Sequence, residues 1–168
     1  MLGTETLNRV LQERLNPDGR ELKRGDRQWR QGDRVICVRN RYDVDVFNGD
    51  VGVVVGVGRG LEVQFDGRLV VWERDDLGLL DLAYAITVHK SQGSEYPAVV
   101  LALHGSHGLM LRRRLFYTGL TRAKRFLCVV GSPKAWSRAV REQGGDVRST
   151  LLKSRLKDEG SASLFGEG

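Results

Sequence analysis

The sequence predicts an α/β fold in which a mostly parallel sheet, with helices on both faces, carries an inserted small β-barrel of the SH3 type. Two observations carry this. Between residues 34 and 73 the apolar runs are short, β-branched and split by glycine turns, with Asp66-Gly67 as a hairpin signal between two of them. After Leu80 apolar strands alternate with helical segments, the pattern of a sheet buried on both sides.

Residues 5–15 place Leu7, Val10, Leu11 and Leu15 at helical spacing and stop at Asn16-Pro17-Asp18-Gly19, so they read as one amphipathic helix. Residues 20–33 are mostly polar and charged around Trp29 and read as a connector. Strands follow at 34–39, 50–57, 61–65 and 69–72, broken at Asn48-Gly49, Gly58-Arg59-Gly60 and Asp66-Gly67. A small barrel accounts for so many short strands and glycines; a β-meander continuous with the following sheet is the alternative. Residues 80–85 then read as a strand, 87–92 as a short helix closed by Gly93, 98–103 as a buried strand and 109–124 as a helix. Another strand follows at 125–130, and a helix at 133–142 has Ser132 as cap and Pro133 in its first position. Leu151, Leu152 and Leu156 suggest a last short helix, and the Gly/Ser-rich end from 160 to 168 a disordered tail.

The chain has 168 residues, enough for one domain with a small insertion, and 27 basic against 21 acidic residues give a formal charge of +6. A basic excess fits a polyanionic partner such as nucleic acid, although a solvated basic surface has the same composition. Cys37 and Cys128 lie far apart in strand-like apolar runs and read as core thiols of a reduced protein. Nothing approaches the roughly 18 apolar residues of a membrane span, and no signal-peptide pattern opens the chain. The expectation is a soluble, cytoplasmic protein with no membrane partner.

Two polar clusters carry the chemistry. In the first, Thr87-Val88-His89-Lys90-Ser91-Gln92-Gly93-Ser94-Glu95, a hydroxyl, an imidazole, an ammonium, an amide and a carboxylate crowd a turn between two expected strands. An α/β sheet puts its ligand crevice there, and free backbone N–H groups favour anions. The alternative is a solvated, capped turn. Lys90-Ser91 is not part of a P-loop, because Ala85 and His89 occupy the two glycine positions and no such pattern occurs elsewhere. The second cluster runs from Phe116 to Arg125 and sets Arg122 at the end of a helix. An arginine there either complements the helix C-terminus or reaches a γ-phosphate as an arginine finger. His89, His104 and His107 offer only a weak metal pattern, since no Cys, Asp or Glu lies close to the His104/His107 pair.

Residues 87–96 followed by an apolar strand resemble helicase motif V of superfamily 1, in its RecD and TraA branch. Residues 117–124, followed by an apolar strand and a glycine, resemble motif VI of the same enzymes. Upstream, Leu7-Asn8, Leu11-Gln12, Leu15-Asn16-Pro17, Gly32-Asp33-Arg34-Val35 and Val46-Phe47-Asn48-Gly49-Asp50 are similar to the segment entering the SH3-like insertion of RecD-type helicases, so the likeness covers about residues 3 to 140. The resemblance implies a RecA-like (P-loop NTPase-type) 2A domain carrying an SH3-like 2B barrel. It divides the chain into a first helix and connector (1–33), the 2B insertion (34–78), the 2A domain with motifs V and VI (79–145) and a C-terminal helix and tail (146–168).

By the same resemblance the chain is the C-terminal half of an ATP-dependent 5′ to 3′ DNA helicase. Thr87, His89, Lys90, Ser91 and Gln92 would line single-stranded DNA, Gly93 and Glu95 would approach the nucleotide, and Arg122 would be the catalytic finger. Arg39, Arg41 and Tyr42 of the barrel are the expected further strand contacts, with ordinary loop surface as the alternative. Gly119 stands where relatives often carry alanine. Walker A, Walker B and the adenine-contacting glutamine belong to an N-terminal RecA-like domain that these residues do not include. ATP and Mg²⁺ are therefore expected in the complete helicase and not on this chain alone, with the N-terminal domain, from the same parent chain or a separate one, as partner. A non-catalytic nucleic-acid-binding module and a truncated remnant are the competing readings.

Overall fold

The computed structural model describes residues 3–106 and 111–142. Helix α1 spans Thr4–Leu15 and ends at Asn16, whose amide bonds back to the Gln12 carbonyl, just before Pro17. Its buried positions are Asn8 and Gln12, whereas Val10 and Leu15 lie exposed. The helix thus packs through a polar stripe rather than the expected apolar one, because those two amides find buried hydrogen-bond partners.

The expected connector is a hairpin. Strands β1 (Glu21–Arg24) and β2 (Arg27–Arg30) pair antiparallel across Gly25, which takes a left-handed φ of 59°. Leu22 and Trp29 lie opposite each other in that register and enter the barrel core.

Strands β3 (Arg34–Cys37), β4 (Val51–Val57), β5 (Leu61–Phe65), β6 (Arg68–Trp72) and β7 (Leu80–Leu82) form one antiparallel sheet in the order β6-β5-β4-β3-β7. Its inner face buries Val35, Cys37, Val54, Leu61, Val63, Phe65, Val70 and Trp72, and a 3₁₀ segment, Arg74–Leu79, adds Leu77. The backbones pack closely at Gly60, where a side-chain carbon would meet the carbonyl of Trp72. Strand β7 pairs with β3 (Val35↔Leu82, Cys37↔Leu80), so the strand expected to open the α/β layer instead borders the barrel sheet. Leu80, fully buried in the barrel core, accounts for that choice.

The α/β part follows. Strands β8 (Tyr96–Leu103) and β9 (Ala123–Gly131) run parallel, joined by a crossover that contains α2 (Arg113–Leu120). Helix α3 (Pro133–Arg141) starts as expected, with Ser132 Oγ accepting the Ala135 N–H at 3.2 Å and Pro133 leading. Helix α2 is shorter than expected: residues 121–124 turn into β9, and residues 107–110 lie outside the described residues. The expected C-terminal helix and tail also lie outside them. Leu101, Leu103, Leu111, Ala135 and Ala139 form a second core, with Val88, Val99 and Phe116 against it, and the Phe116 and Trp136 rings meet edge-on at 5.4 Å.

Candidate nucleotide and nucleic-acid interface

Residues 87–93 form consecutive turns rather than the expected short helix. One i to i−4 bond closes, from the Ser91 amide to the Thr87 carbonyl (3.1 Å), and the next bonds are of the tighter i−3 kind (Gln92 to His89, 3.2 Å; Ser94 to Ser91, 3.1 Å). So short a segment barely repays helix nucleation, and Gly93, at a φ of 84°, turns the chain into β8. Thr87 Oγ1 accepts the Lys90 N–H at 3.2 Å. Ser91 is buried and donates its hydroxyl to the Val88 carbonyl at 2.8 Å, so this expected strand contact is spent inside the turn. The side chains of Thr87, His89 and Gln92 face solvent.

Lys90 reaches back to the barrel sheet. Its ammonium lies 3.0 Å from Asp81 Oδ2, while Arg27 holds Asp81 Oδ1 at 3.1 Å. One carboxylate thus gathers two cations beside a groove of about 740 Å³ bounded by α1, β2, β7 and the turn, with Asn8, Arg9, Arg27, Thr87 and Lys90 among its walls.

Arg122 sits where α2 gives way to β9, and its backbone carbonyl accepts the Tyr96 amide at 2.8 Å. Its guanidinium donates to Ser94 O (3.0 Å), Thr118 O (3.2 Å) and Thr121 Oγ1 (3.2 Å). The two clusters that are separate in sequence are therefore one place in the fold, with Arg122 against the exit of the turn that carries Gly93 and Glu95. Among the described residues no carboxylate pairs with Arg122, so its charge is held by neutral acceptors and stays available to an anion. Glu95 and Lys124 pair at 3.1 Å, each more than half exposed, a contact of small energetic weight. Gly119 packs α2 against both neighbours, since a side-chain carbon there would lie 3.0 Å from Leu101 Cδ1 and 3.4 Å from Val88 Cγ2.

The three barrel residues divide. Arg39 is exposed, and Tyr42, 77% exposed, meets Phe47 edge-on at 6.0 Å. Arg41 differs from the expectation: it bonds Asp43 at 2.6 and 2.8 Å and Asp76 at 2.7 Å, and lies 5.2 Å over the Trp72 ring. The hydrogen bonds to Asp43 raise its pKa further, opposed by burial and reinforced by Asp76. Its charge fastens the loop before β4 to the barrel. Among the described residues no three His, Cys, Asp or Glu side chains converge as metal ligands; His107 lies outside them.

Two family models match the chain in succession. Residues 7–71 match the ATP-dependent RecD-like DNA helicase SH3 domain, and residues 82–130 the UvrD-like helicase C-terminal domain. The chain belongs to the RecD-like helicase family. It is 40% identical over 157 residues to the ATP-dependent RecD2 DNA helicase of Deinococcus radiodurans, a match covering 93% of this chain and 22% of that protein. With the RecBCD enzyme subunit RecD of Haemophilus influenzae it shares 33% over 141 residues, 84% of this chain and 21% of the relative. The RecD-like chain thus spans about a fifth of the length of these relatives and corresponds to their C-terminal region. Among solved structures it is similar to Bacteroides Pif1 helicase bound to single-stranded DNA, with a TM-score of 0.60 and 18% identity over 94% of this chain and 45% of that one. The same helicase with ADP-AlF3 and single-stranded DNA also gives 0.60, at 19% identity over 94% and 44%. At such identities the likeness establishes the fold, a RecA-like α/β domain carrying an SH3-like module.

Proposed function

We propose that this chain is the C-terminal half of an ATP-dependent 5′ to 3′ DNA helicase of the RecD type, contributing strand contacts and an arginine finger to an ATP site completed by an N-terminal RecA-like domain. The observation that carries the reading is the Arg122 guanidinium 3.0 Å from Ser94 O, which couples the motif VI arginine to the end of the motif V turn. Thr87, His89, Lys90 and Gln92 present hydroxyl, imidazole, ammonium and amide to the backbone and bases of a single strand, a sequence-tolerant mixture of phosphate and stacking contacts. Ser91 keeps the turn in shape from within. Arg39 and Tyr42 extend the strand path on the barrel. Arg122 exchanges its backbone acceptors for γ-phosphate oxygens, stabilising the charge that builds as the terminal phosphate is lost.

ATP with Mg²⁺, held chiefly by the N-terminal domain, supplies the phosphoanhydride bond whose hydrolysis drives movement. The residues here fit an anion and not the metal: Glu95 is already paired with Lys124, and no acidic group pairs with Arg122 among the described residues. The β8–β9 sheet supports a larger assembly. Helices α2 and α3 cover its Leu101 face, while Val100, Phe126 and Val130 on the other are 68%, 60% and 55% exposed, an apolar surface suited to the rest of a parallel sheet fold.

The test is ATP turnover, with and without single-stranded DNA, for this chain alone and mixed with the N-terminal remainder of the Deinococcus relative. Turnover is expected only in the DNA-containing mixture, and Arg122→Ala is expected to lower it by about 10³-fold or more. Turnover of the mixture that is indifferent to Arg122→Ala would remove the finger. Salt-sensitive DNA binding with silence in every mixture would favour the non-catalytic binding module.

A further inference from the structure

Asp33 is fully buried, yet it lies in neither motif and touches no groove cation. Its two carboxylate oxygens accept four hydrogen bonds: Oδ2 from Gln12 Nε2 (2.5 Å) and the Arg30 amide (2.6 Å), Oδ1 from Asn16 Nδ2 (2.7 Å) and the Tyr84 hydroxyl (2.8 Å). A buried carboxylate is tolerated only with such a complete set of donors. These come from α1 with its capping residue, the hairpin and the segment leaving β7, three stretches of chain that share no strand pairing with one another. Beside it, Asn8 makes a two-way clamp on the backbone of one residue: its amide donates to Ala85 O at 2.8 Å, and its carbonyl accepts the Ala85 N–H at 2.7 Å. The backbone at Ala85 thus obtains from a helix side chain the two bonds that a neighbouring strand would otherwise supply. Two residues later comes Thr87, the start of the turn.

We infer that Asp33, Tyr84 and Asn8 are positioning residues that latch the entry of the motif V turn to α1 and the barrel, fixing where Thr87 and Lys90 meet the nucleic-acid strand. The latch sits at the hinge between two bodies. Upstream of Ala83 the chain is sewn into the barrel sheet through β7 and β3; downstream it belongs to the β8–β9 layer. Besides the contacts of Lys90 with Asp81 and of Ser94 O with Arg122, the turn holds itself by local i−3 and i−4 backbone bonds, so its aim depends on how its first residues are held. Through the latch, a load on the barrel is transmitted to the strand-binding turn along hydrogen bonds rather than along free backbone.

The consequence for binding rests on the strand-contact reading above, so the test has two arms. In the first, hydrogen exchange of the peptide covering residues 85–93 is compared in the full chain for wild type, Tyr84→Phe, Asn8→Leu and Asp33→Asn. Tyr84→Phe removes one hydroxyl and little volume, and Asn8→Leu frees the Ala85 amide; both are expected to speed exchange there by about fivefold while protection in β4–β6 stays unchanged. Asp33→Asn turns an amide against two donors and is expected to do more; it is informative only if the barrel remains folded, which is why the two milder variants are included. The second arm measures anisotropy of a labelled oligo-dT in a double-mutant cycle of Tyr84→Phe with Thr87→Val. A latch that acts through the turn gives coupled losses, with Tyr84→Phe alone weakening binding by about fivefold and adding little once Thr87 is changed. Unchanged exchange at 85–93 in both mild variants overturns the latch whatever the DNA result, as does additive behaviour in the cycle. A wild-type chain that does not bind oligo-dT removes the strand-contact reading, and the exchange arm still decides the latch.

Discussion

The barrel and the α/β layer are held together in different ways. The barrel sheet wraps a filled core: Val35, Cys37, Val46, Val54, Leu61, Val63, Trp72, Leu77 and Leu80 are fully enclosed, and the hairpin adds Leu22 and Trp29. Among the described residues the β8–β9 layer has no side chain larger than alanine so completely enclosed, and it turns Val100, Phe126 and Val130 to solvent. A two-stranded sheet covered on one side is marginal in water, whereas a five-stranded sheet with a filled interior is not. The β8–β9 layer is thus the part that leaves an apolar face open to additional protein, and the barrel sheet is the part whose core is filled.

The strongest way to break that contrast is Trp72→Ala, which opens a cavity in the enclosed half and is expected to cost about 3–5 kcal/mol, read as a lower urea midpoint by circular dichroism. A loss below about 1 kcal/mol would mean that the barrel core is not the stable unit. Next comes alkaline pH. Burial first, then the hydrogen bond to Asp33 and its charge, push the Tyr84 phenol up to about 12 from the ordinary 10.0. A raised pKa means that the folded state favours the protonated phenol. Its contribution is therefore complete below pH 10 and lost as pH rises towards 12. Tyr84→Phe should flatten that part of the urea-midpoint profile, and parallel profiles for the two proteins would refute the assignment.

A smaller effect is expected at the junction of the two motifs. Gly119→Ala gains up to about 1 kcal/mol in helix propensity but must move the Leu101 methyl that a side-chain carbon would approach to 3.0 Å. A net change within about 1 kcal/mol of wild type in thermal unfolding is the outcome that fits a compliant α/β layer; a much larger loss would show that layer to be tightly packed. Least of all should Val100→Lys matter to folding. On an open face the change is expected to stay within about 0.5 kcal/mol while reducing self-association in sedimentation, and strong destabilisation would mean that the face is covered.

How much was legible in the sequence follows the same divide. Strands β4, β5 and β6 are readable because glycines and Asp66-Gly67 punctuate them. The hairpin was missed because its strands bury little beyond Leu22 and Trp29; the signal available was Gly25-Asp26 between two short runs. The strand expected at 80–85 is shorter, Leu80–Leu82, and joins the barrel sheet, since an apolar run does not say which edge it joins. In the site, the clustering of residues 87–95 and the place of Arg122 were legible from residue types alone. The network around Asp33 was not, because its members, Gln12, Asn16, Arg30 and Tyr84, meet only through the fold, and a buried aspartate looks in sequence like a surface one. Arg41 erred the other way: a basic residue next to an aromatic suggests a nucleic-acid contact, yet Asp43 and Asp76 already claim it.

Asp81 gives the groove an internal counterion. Arg27 and Lys90 share one negative charge, so the pair carries a net charge of +1, and on the proposed strand-contact reading a phosphate that recruits it competes with a tethered carboxylate that offsets one of the two cations. The pair then neutralises about one phosphate rather than two, and the slope of log affinity against log salt should undercount the phosphates touched by about one. Replacing Asp81 with asparagine would restore the missing slope and tighten binding at low ionic strength.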